Sequence, residues 1–345
     1  MVEDILENQM IEQIANHFIK PPNRINKIHE ADAELIQLEG DYCLAVTTDA
    51  VVEEIASGLY DDPHLMGWML ATVNFSDLAA VGADPLGLVI SVNYPSDRDA
   101  SFIRKLSEGI SDACRSVNSY VLGGDTNRGN ALFLSACAVG TVPKQSIITR
   151  MGAKPGDRCY LSGPAGLGGL YAFMKLSGKG SSLNPSFYKP IARIKEGQII
   201  REFATCCMDT SDGVIHTLDT LMRLNHCQFI LYDDWKKIIH SDVLSISKVQ
   251  ELPPWITMAG VHGEFELLFT LNPYDEKDLL QEAAKIGWNP ILIGEVREGD
   301  GVGILSKQKV VPIDSGLIRN LSDSAGSDHH TYIAKLLEIA LEVGI

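Results

Sequence analysis

A long apolar segment that carries a carboxylate near its end, residues 65–81 (LMGWMLATVNFSDLAAV), places the strongest constraint on how this chain can fold. Its apolar residues recur with helical periodicity, and the turn formers of residues 82–85 (GADP) end it. Burial of an unpaired carboxylate is unfavourable, so Asp77 needs a cation or hydrogen-bond donors nearby. The same residues could equally form a polar stripe, Asn74 to Asp77, on an otherwise buried helix.

Strand-like and helix-like patterns alternate along the rest of the chain. Compact apolar and β-branched runs predict strands at residues 42–48, 86–93, 119–122, 159–162 and 302–311. Helical patterns cover residues 1–20, 100–116, 170–176 and 331–343. Together they predict an α/β (α+β) fold.

Turn-forming stretches divide these elements. A polar, turn-rich stretch, residues 151–158 (MGAKPGDR), separates two apolar regions and predicts two domains, residues 1–150 and 151–345. Gly123-Gly124-Asp125 is expected to form a turn after the strand at residues 119–122. Residues 163–169 read as a glycine-rich turn, and residues 178–185 (GKGSSLNP) as a linker.

Composition bounds the possible partners and the compartment. The chain has 345 residues, 45% of them hydrophobic, and a formal net charge of -16, which argues against a nucleic-acid or anionic-membrane surface. Seven cysteines without a CxxC pair indicate neither a zinc ribbon nor a disulfide framework, so a reducing cytoplasm is expected. No apolar run approaches the ~18 residues of a membrane span.

Aspartate recurs in short apolar or glycine-rich surroundings, where a merely solubilising carboxylate would be out of place. The strings are Thr47-Thr48-Asp49, Ser76-Asp77, Gly123-Gly124-Asp125 and Asp209-Thr210-Ser211-Asp212-Gly213. Hard oxygen ligands suit Mg²⁺, which binds through a few carboxylates and substrate phosphates. Each string alone is equally explained by a turn or a helix cap. As a set they predict a metal and polyphosphate site.

Three other strings have weaker chemical meaning. Paired glycines in residues 123–129 (GGDTNRG) would let backbone N–H groups approach a phosphate that Arg128 neutralises, although a plain hairpin also fits. Residues 162–169 (SGPAGLGG) lack a Walker lysine and favour packing. The histidine-containing residues 262–266 and 328–330 match no zinc spacing and favour surface turns.

Taken in order, these strings resemble the thiamine-monophosphate kinase family of the aminoimidazole-ribonucleotide (AIR) synthetase-like superfamily. The resemblance covers nearly the whole chain. It is carried by VTTD (46–49), ATVNFSDLAAVGADP (71–85), GGDTNRG (123–129), RMGAKPGD (150–157), DTSDG (209–213) and ELLF (266–269).

The resemblance implies an ATP- and Mg²⁺-dependent phosphotransferase that acts by in-line transfer. It implies Mg²⁺ ligands at Asp32, Thr47, Thr48, Asp49, Asp77, Asp125, Asp209 and Asp212. It also implies ATP contacts from Gly124, Asp125, Arg150 and Ser211, and catalytic roles for Asp49, Asp125 and Asp212. A homodimer is implied as well, in which the N-terminal domain completes a β-barrel across a twofold axis and the C-terminal domain closes over the substrate.

The departures from the family pattern are concentrated on the acceptor side. The first acidic motif, GDDAAV-like in the family, is Glu30-Ala31-Asp32 here and keeps only its second aspartate. The family's substrate-side histidine falls at Ala56, Glu264 stands in its GGEDYEL string, and His330 replaces a C-terminal aromatic residue. Glu264 and His330 are therefore candidate substrate contacts. The asymmetry predicts a small-molecule acceptor other than thiamine monophosphate.

Three alternatives remain at this stage. The chain could be a genuine thiamine-monophosphate kinase, which makes thiamine diphosphate. It could be an ATP-dependent synthetase that forms a phosphorylated intermediate captured by an amine. Because the first acidic motif is altered, it could also be a catalytically weak, nucleotide-binding regulatory protein.

Overall fold

The computed structural model describes residues 5–180, 183, 187–260, 262–321 and 328–344. Within these residues it is a mixed α/β protein built on two sheets, as the alternation of patterns predicted. Parts of three predicted segments lie outside the described residues. They are residues 1–4 of the first helix, residues 181–182 and 184–185 of the linker at 178–185, and residues 326–327 before the last helix.

The first sheet has five strands in the order β1-β2-β5-β3-β4. Its strands are β1 (Glu34–Gln37), β2 (Tyr42–Ala50), β3 (Asp84–Tyr94), β4 (Val121–Arg128) and β5 (Phe133–Pro143). All neighbours are antiparallel except β3 and β4, which run parallel and are joined through a helix. β4 forms one edge of the sheet, and its residues are exposed along their whole length.

The apolar segment at residues 65–81 forms most of a long helix, α3. The helices of this half are α1 (Leu6–Ala15), α2 (Val52–Ala56), α3 (Pro63–Ala80) and α4 (Ala100–Ser116). Asp62 caps α3, since its Oδ2 accepts from Leu65 N at 2.9 Å. α3 contacts β2 and β5 on one side and α4 on another, and is buried over most of its length. The predicted helix at 65–81 is confirmed.

Two glycines let α3 and α4 approach closely. A Cβ on Gly67 would lie 2.0 Å from the Leu106 carbonyl oxygen, and one on Gly109 would lie 2.0 Å from the His64 carbonyl oxygen. The helix backbones therefore touch where any side chain would separate them. This contact fixes α3 against the sheet and, with it, the position of Asp77.

The second sheet has seven strands in the order β12-β11-β8-β10-β6-β9-β7. Its strands are β6 (Arg158–Leu161), β7 (Ala204–Asp209), β8 (Gln228–Tyr232), β9 (Leu267–Leu271), β10 (Ile291–Arg297), β11 (Gly301–Ser306) and β12 (Lys309–Ile313). The helices of this half are α5 (Leu167–Leu176), α6 (Ile194–Ile200), α7 (Val214–Asn225), α8 (Trp235–Ile238), α9 (Ser241–Val249), α10 (Glu276–Lys285), α11 (Ser315–Arg319) and α12 (His329–Val343). β9 is buried at every residue.

Several local predictions can now be assessed. Gly123-Gly124-Asp125 forms part of strand β4, so the predicted turn is wrong. Pairing with β3 decides this, because it extends the glycines into a regular ladder. The glycine-rich turn at residues 163–169 serves packing, since a Cβ on Gly168 would lie 2.0 Å from Gly263 O. The domain boundary near residue 150 falls between the two sheets and stays a prediction. Within the described ranges, no helix is long and apolar enough to cross a membrane.

Candidate functional site

Three aspartates from distant parts of the chain meet where the two sheets face each other. Asp32 precedes β1, Asp77 lies near the end of α3, and Asp209 ends β7. One carboxylate oxygen of each lies within 4.8 Å of the others. The Asp32 side chain is fully shielded from solvent, and its Oδ2 has no hydrogen-bond partner within the described part of the chain. A buried carboxylate oxygen without a donor is unfavourable unless a cation completes it.

Hydroxyl groups and one arginine orient these carboxylates. Thr47 Oγ1 donates to Asp77 Oδ2 at 2.5 Å, and Ser76 Oγ donates to Asp209 Oδ2 at 2.6 Å. Arg150 Nη2 donates to Asp32 Oδ1 at 3.0 Å. The hydrogen bond from Ser76, on α3, to Asp209, on β7, joins the helix that packs on the first sheet to the second sheet. The single arginine leaves the three carboxylates with excess negative charge.

Burial and mutual repulsion disfavour ionisation of this cluster. Burial, followed by the charges of Asp209, Asp32 and Asp49, raises the pKa of Asp77 well above its usual range. Burial and Asp32 raise the pKa of Asp209 to about 7. A divalent cation would remove the repulsion, and its preferred ligands are the hard oxygens gathered here. The residues present therefore fit Mg²⁺.

Asp49 and Asp212 lie beside the cluster. Asp49 Oδ1 accepts from the backbone N–H of Ala50 at 2.7 Å, and burial raises the pKa of Asp49. Burial, with a smaller effect of Glu7, raises the pKa of Asp212 to about 7. Thr48 Oγ1 instead donates to the carbonyl of Ala136 at 2.9 Å and stays within the sheet.

A cavity of about 160 Å³ with basic side chains opens on one side of the cluster. Arg150, Arg223, Arg319, His29 and His216 all contribute to its wall. Burial lowers the pKa of His216 to about 3, so its ring is neutral and its buried Nδ1 has no partner among the described residues. Arg150 also pairs with Asp32, and Arg223 and Arg319 pair with Asp219. Their guanidinium groups offer further N–H donors that suit an anion such as a phosphate group.

A second cavity, of about 410 Å³, opens on the other side and is acidic. Its wall consists of Glu7, Asp49, Ala50, Val52, Glu53, Glu54, Val73, Ser211, Asp212, His262 and Phe265. Glu7, Ser211 and Asp212 line both cavities. A molecule in the basic cavity and another in the acidic cavity would therefore meet at the loop between β7 and α7.

His262 is buried and lines the acidic cavity, so the predicted surface turn at residues 262–266 is wrong. Its Nε2 lies 3.2 Å from the Tyr60 hydroxyl, and its ring centre lies 5.1 Å from that of Tyr188. Burial lowers the pKa of His262 to about 3. Tyr171 joins this aromatic group, and its hydroxyl donates to Leu59 O at 2.8 Å. Local polarity suggested a turn, but aromatic partners distant in sequence bury the segment.

Glu264 lies in the interior rather than on a cavity wall. Its Oε2 accepts from the backbone N–H of Gly166 at 2.9 Å, and its buried Oε1 has no hydrogen-bond partner among the residues that the structure describes. Burial raises the pKa of Glu264 to about 8. The adjacent Gly263 lies against the 209–213 loop, where a Cβ would be 1.6 Å from Thr210 O. Gly263 thus packs against the loop that carries Ser211 and Asp212, Glu264 holds the turn at Gly166, and the role of Glu264 as a substrate contact stays a prediction.

Asp125 and Gly124 lie apart from the cluster within one chain. Asp125 pairs with Ser91, Ser91 with Ser135, and Ser135 with Ala50. Three strand spacings, about 14 Å along the sheet, therefore separate Asp125 from the end of β2. Its Oδ2 accepts from Asn127 Nδ2 at 2.6 Å, and the strand around it is exposed. Its metal, ATP and catalytic roles stay predictions.

The remaining acceptor-side positions are at the surface. His330 lies exposed in the first turn of α12, where its backbone N–H donates to Asp328 Oδ1 at 3.2 Å. Ala56 is exposed at the end of α2. A substrate contact by His330 stays a prediction. Sequence reasoning missed Glu54 and His262, two polar side chains that do line the acidic cavity.

Sequence comparisons identify the relatives of this chain. Residues 30–142 match the family model described as AIR synthase related protein, N-terminal domain. A thiamine-monophosphate kinase from Methanocaldococcus jannaschii is 30% identical over 81% of this chain and 91% of that protein. The thiamine-monophosphate kinase from Escherichia coli K12 is 31% identical over 70% of this chain and 74% of that protein.

Solved structures share the fold at lower identity. AaThiL complexed with AMPPCP and TMP matches with a TM-score of 0.72 and 23% identity, over 90% of this chain and 95% of that chain. The hydrogenase maturation protein HypE from Escherichia coli matches with a TM-score of 0.66 and 17% identity, over 90% and 97% of the two chains. Both domains therefore have the AIR-synthase-like fold.

Proposed function

We propose that this chain, which belongs to the thiamine-monophosphate kinase family and is an ATP-dependent kinase, phosphorylates a small molecule other than thiamine monophosphate. The residues that line the acidic cavity support a change of acceptor. Glu54 and His262 line it, whereas Ala56, where the family pattern has a substrate-side histidine, is exposed. The residues that line the proposed acceptor cavity therefore differ from the family pattern.

The metal-binding half of the site is assigned to Asp32, Asp77 and Asp209, with Asp49 and Asp212 beside them. Bound Mg²⁺ would neutralise the polyphosphate and hold it among these carboxylates. The chain's own residues do the positioning: Thr47 and Ser76 orient two of the aspartates, and Arg150 holds the third. The retained Asp32 reaches the cluster, although the first aspartate of the family's motif is absent.

The donor and acceptor are assigned to the two cavities. The basic cavity, next to Arg150 and Ser211, suits the phosphate chain of ATP. The acidic cavity suits the acceptor, because it adjoins Asp49 and Asp212 and holds the aromatic rings of His262 and Phe265. Ser211 and Asp212 lie on the walls of both, so the transferred group would pass beside them.

Production of ADP by the purified protein tests this function. With Mg·ATP in three parallel reactions, thiamine monophosphate should stimulate ADP release less than tenfold over the reaction without acceptor. Stimulation with kcat/KM in the range of about 10⁴ to 10⁸ M⁻¹s⁻¹ would instead establish a genuine thiamine-monophosphate kinase, which the 30% identity to such enzymes also favours. The third reaction, with thiamine, covers the unphosphorylated relative of that acceptor.

The other two alternatives give distinct outcomes in the same assay. ADP and phosphate release that depends on an added nitrogen donor would support a synthetase. Calorimetric binding of Mg·ATP without ADP release, over a broad panel of acceptors, would support a regulatory nucleotide-binding protein. Failure to bind Mg·ATP at all would contradict the kinase assignment.

A homodimer built through the β4 edge belongs to the same proposal. Tyr120, Val121 and Leu122 are exposed apolar residues on or beside this edge, and Phe133 is exposed at the start of β5. An unpaired, apolar strand edge readily pairs with another copy. Light scattering at micromolar concentration should give about twice the mass of one chain, and Leu122→Lys should lower it. A monomeric wild-type protein would overturn the dimer.

A further inference from the structure

We infer that the acceptor presents a hydroxyl group on a positively charged molecule, rather than a phosphate, and that Glu54 receives the proton of that hydroxyl. The inference rests on the proposed kinase function and specifies the substrate class of its acceptor cavity. It is argued from the charges of the cavity wall, the position of Glu54, and the polar and aromatic groups opposite.

The charges of the acidic cavity disfavour an anionic acceptor. Five carboxylates line it, and the lining includes neither lysine nor arginine: Glu7, Asp49, Glu53, Glu54 and Asp212. Metal ions held by Asp32, Asp77 and Asp209 would neutralise the inner end, next to the ATP phosphates. The outer end, at Glu53 and Glu54, has no basic side chain among the residues that line the cavity. A phosphate monoester would be repelled there, whereas a cation would be attracted.

Glu54 is the carboxylate best placed to receive a proton. It lies on α2, five residues after Asp49 in the sequence, and lines the cavity that Asp49 and Asp212 share. Its carboxylate accepts a hydrogen bond from its own backbone N–H and forms no ion pair among the described residues, so further lone pairs are available to a ligand. Burial, followed by Asp49 and Glu53, raises the pKa of Glu54 to about 7, a suitable value for a general base near neutral pH.

His262 and Phe265 complete the opposite wall. The neutral His262 ring uses Nε2 with Tyr60, and the described contacts include none to its Nδ1. This nitrogen can hydrogen-bond a polar acceptor group. The Phe265 ring faces the same space, and aromatic faces attract cations. The cavity thus combines negative charge, an aromatic surface and one hydrogen-bonding nitrogen.

The chemistry explains why a free carboxylate belongs here. The acceptor oxygen forms a bond to the γ-phosphorus of ATP, and the bond from that phosphorus to the β–γ bridging oxygen breaks, releasing ADP. The hydroxyl proton passes to the Glu54 carboxylate. A phosphate acceptor is already deprotonated and needs no such base, so Glu54 would have no role in its reaction.

Binding to matched probe pairs tests the substrate class. Thiamine against thiamine monophosphate, and choline against phosphocholine, differ only by the phosphate group. With Mg²⁺ and AMPPCP present, calorimetry should show that the hydroxyl member of at least one pair binds ten times more tightly or better. Equal or tighter binding of both phosphate members, or no binding of any probe at millimolar concentration, would overturn the inference.

Turnover of the tighter-binding hydroxyl probe tests the proton transfer. Glu54→Gln should lower kcat about 10²-fold or more while KM for ATP changes less than threefold, and Glu54→Asp should recover part of the loss. Glu298→Gln, on an exposed loop, serves as the control. A kcat for Glu54→Gln within threefold of wild type, or no turnover of the bound probe, would overturn this role. Intact Mg·ATP binding in those cases would leave the kinase assignment standing.

Discussion

Replacing Asp77 by Asn lowers turnover by about 10³-fold or more and abolishes stabilisation by Mg·ATP. Asp77 shares the cluster with Asp32 and Asp209, so its loss removes a cation ligand from the centre of the site. Asparagine keeps the shape of the side chain, and its oxygen can still accept from Thr47. The fold should therefore persist, and the melting temperature without metal should stay within a few degrees of wild type.

Two measurements separate a metal effect from a folding effect. The Mg·ATP-induced rise in melting temperature should disappear in Asp77→Asn, and ADP release should be measured alongside it. Asp97→Asn removes an exposed aspartate far from the cluster in the fold and should behave as wild type in both. If Asp77→Asn retains wild-type ATP affinity and turnover, the assignment of the cluster as the metal site is wrong.

Without metal, the protein should lose stability as pH rises from about 6.5 to 8, and Mg²⁺ should reduce this loss. Asp209 and Asp212 have pKa values of about 7 in the folded protein, and the pKa of Asp77 is raised further from its usual range. Unfolded aspartates titrate near pH 3.9, so the folded state binds more protons in this window. A group that is protonated in the folded state and ionised in the unfolded state lowers the free energy of unfolding by at most about 1.4 kcal/mol per pH unit, and the effect of Asp209 and Asp212 fades as the pH passes their pKa of about 7.

The buried histidines determine why the pH range of about 6.5 to 8 is chosen. Burial lowers the pKa values of His216 and His262 to about 3, so these residues favour stability as pH rises to about 6.5 and oppose the aspartates below it. Above that pH the opposing effect of the histidines fades, because unfolded histidine titrates near pH 6.5. Glu54 and Glu264 lower the free energy of unfolding as the pH rises, and they do so with or without metal because they lie outside the cluster. The difference between chemical denaturation with and without Mg²⁺ therefore reports the cluster, and parallel pH profiles would contradict its role.

The sequence allowed the inner part of the site to be predicted. Asp77 and Asp209 stand in strings whose polarity contrasts with their apolar surroundings, Asp32 was implied by the family resemblance, and the structure brings these three together. Asp77 was the clearest, because a carboxylate in a buried helix demands compensation. The α/β architecture followed from the alternation of periodicities, which depends on local spacing and survives without knowledge of the partners.

The outer part depended on contacts that local patterns do not encode. His262 read as part of a turn, yet Tyr60 and Tyr188 enclose it from positions more than 70 residues away in the chain. Glu54 has no distinguishing pattern in the sequence, and only the cavity separates it from exposed acids. The glycines at 123 and 124 suggested a turn, but pairing with β3 extends them. In each case, tertiary contacts override a correct local propensity.

The hydrogen bond between Ser76 and Asp209 would make the stability of the interface between the two halves and the proposed affinity for ions mutually dependent. Ser76 lies on helix α3 of the first half and Asp209 on strand β7 of the second sheet, and each lies within or next to the cluster. Any ligand that prefers the assembled cluster therefore resists separation of the two halves, by thermodynamic reciprocity. Conversely, a substitution anywhere along this interface that loosens the halves will weaken ion binding without touching a ligand. Saturation with metal and nucleotide should accordingly merge the unfolding of the two sheets into one cooperative transition.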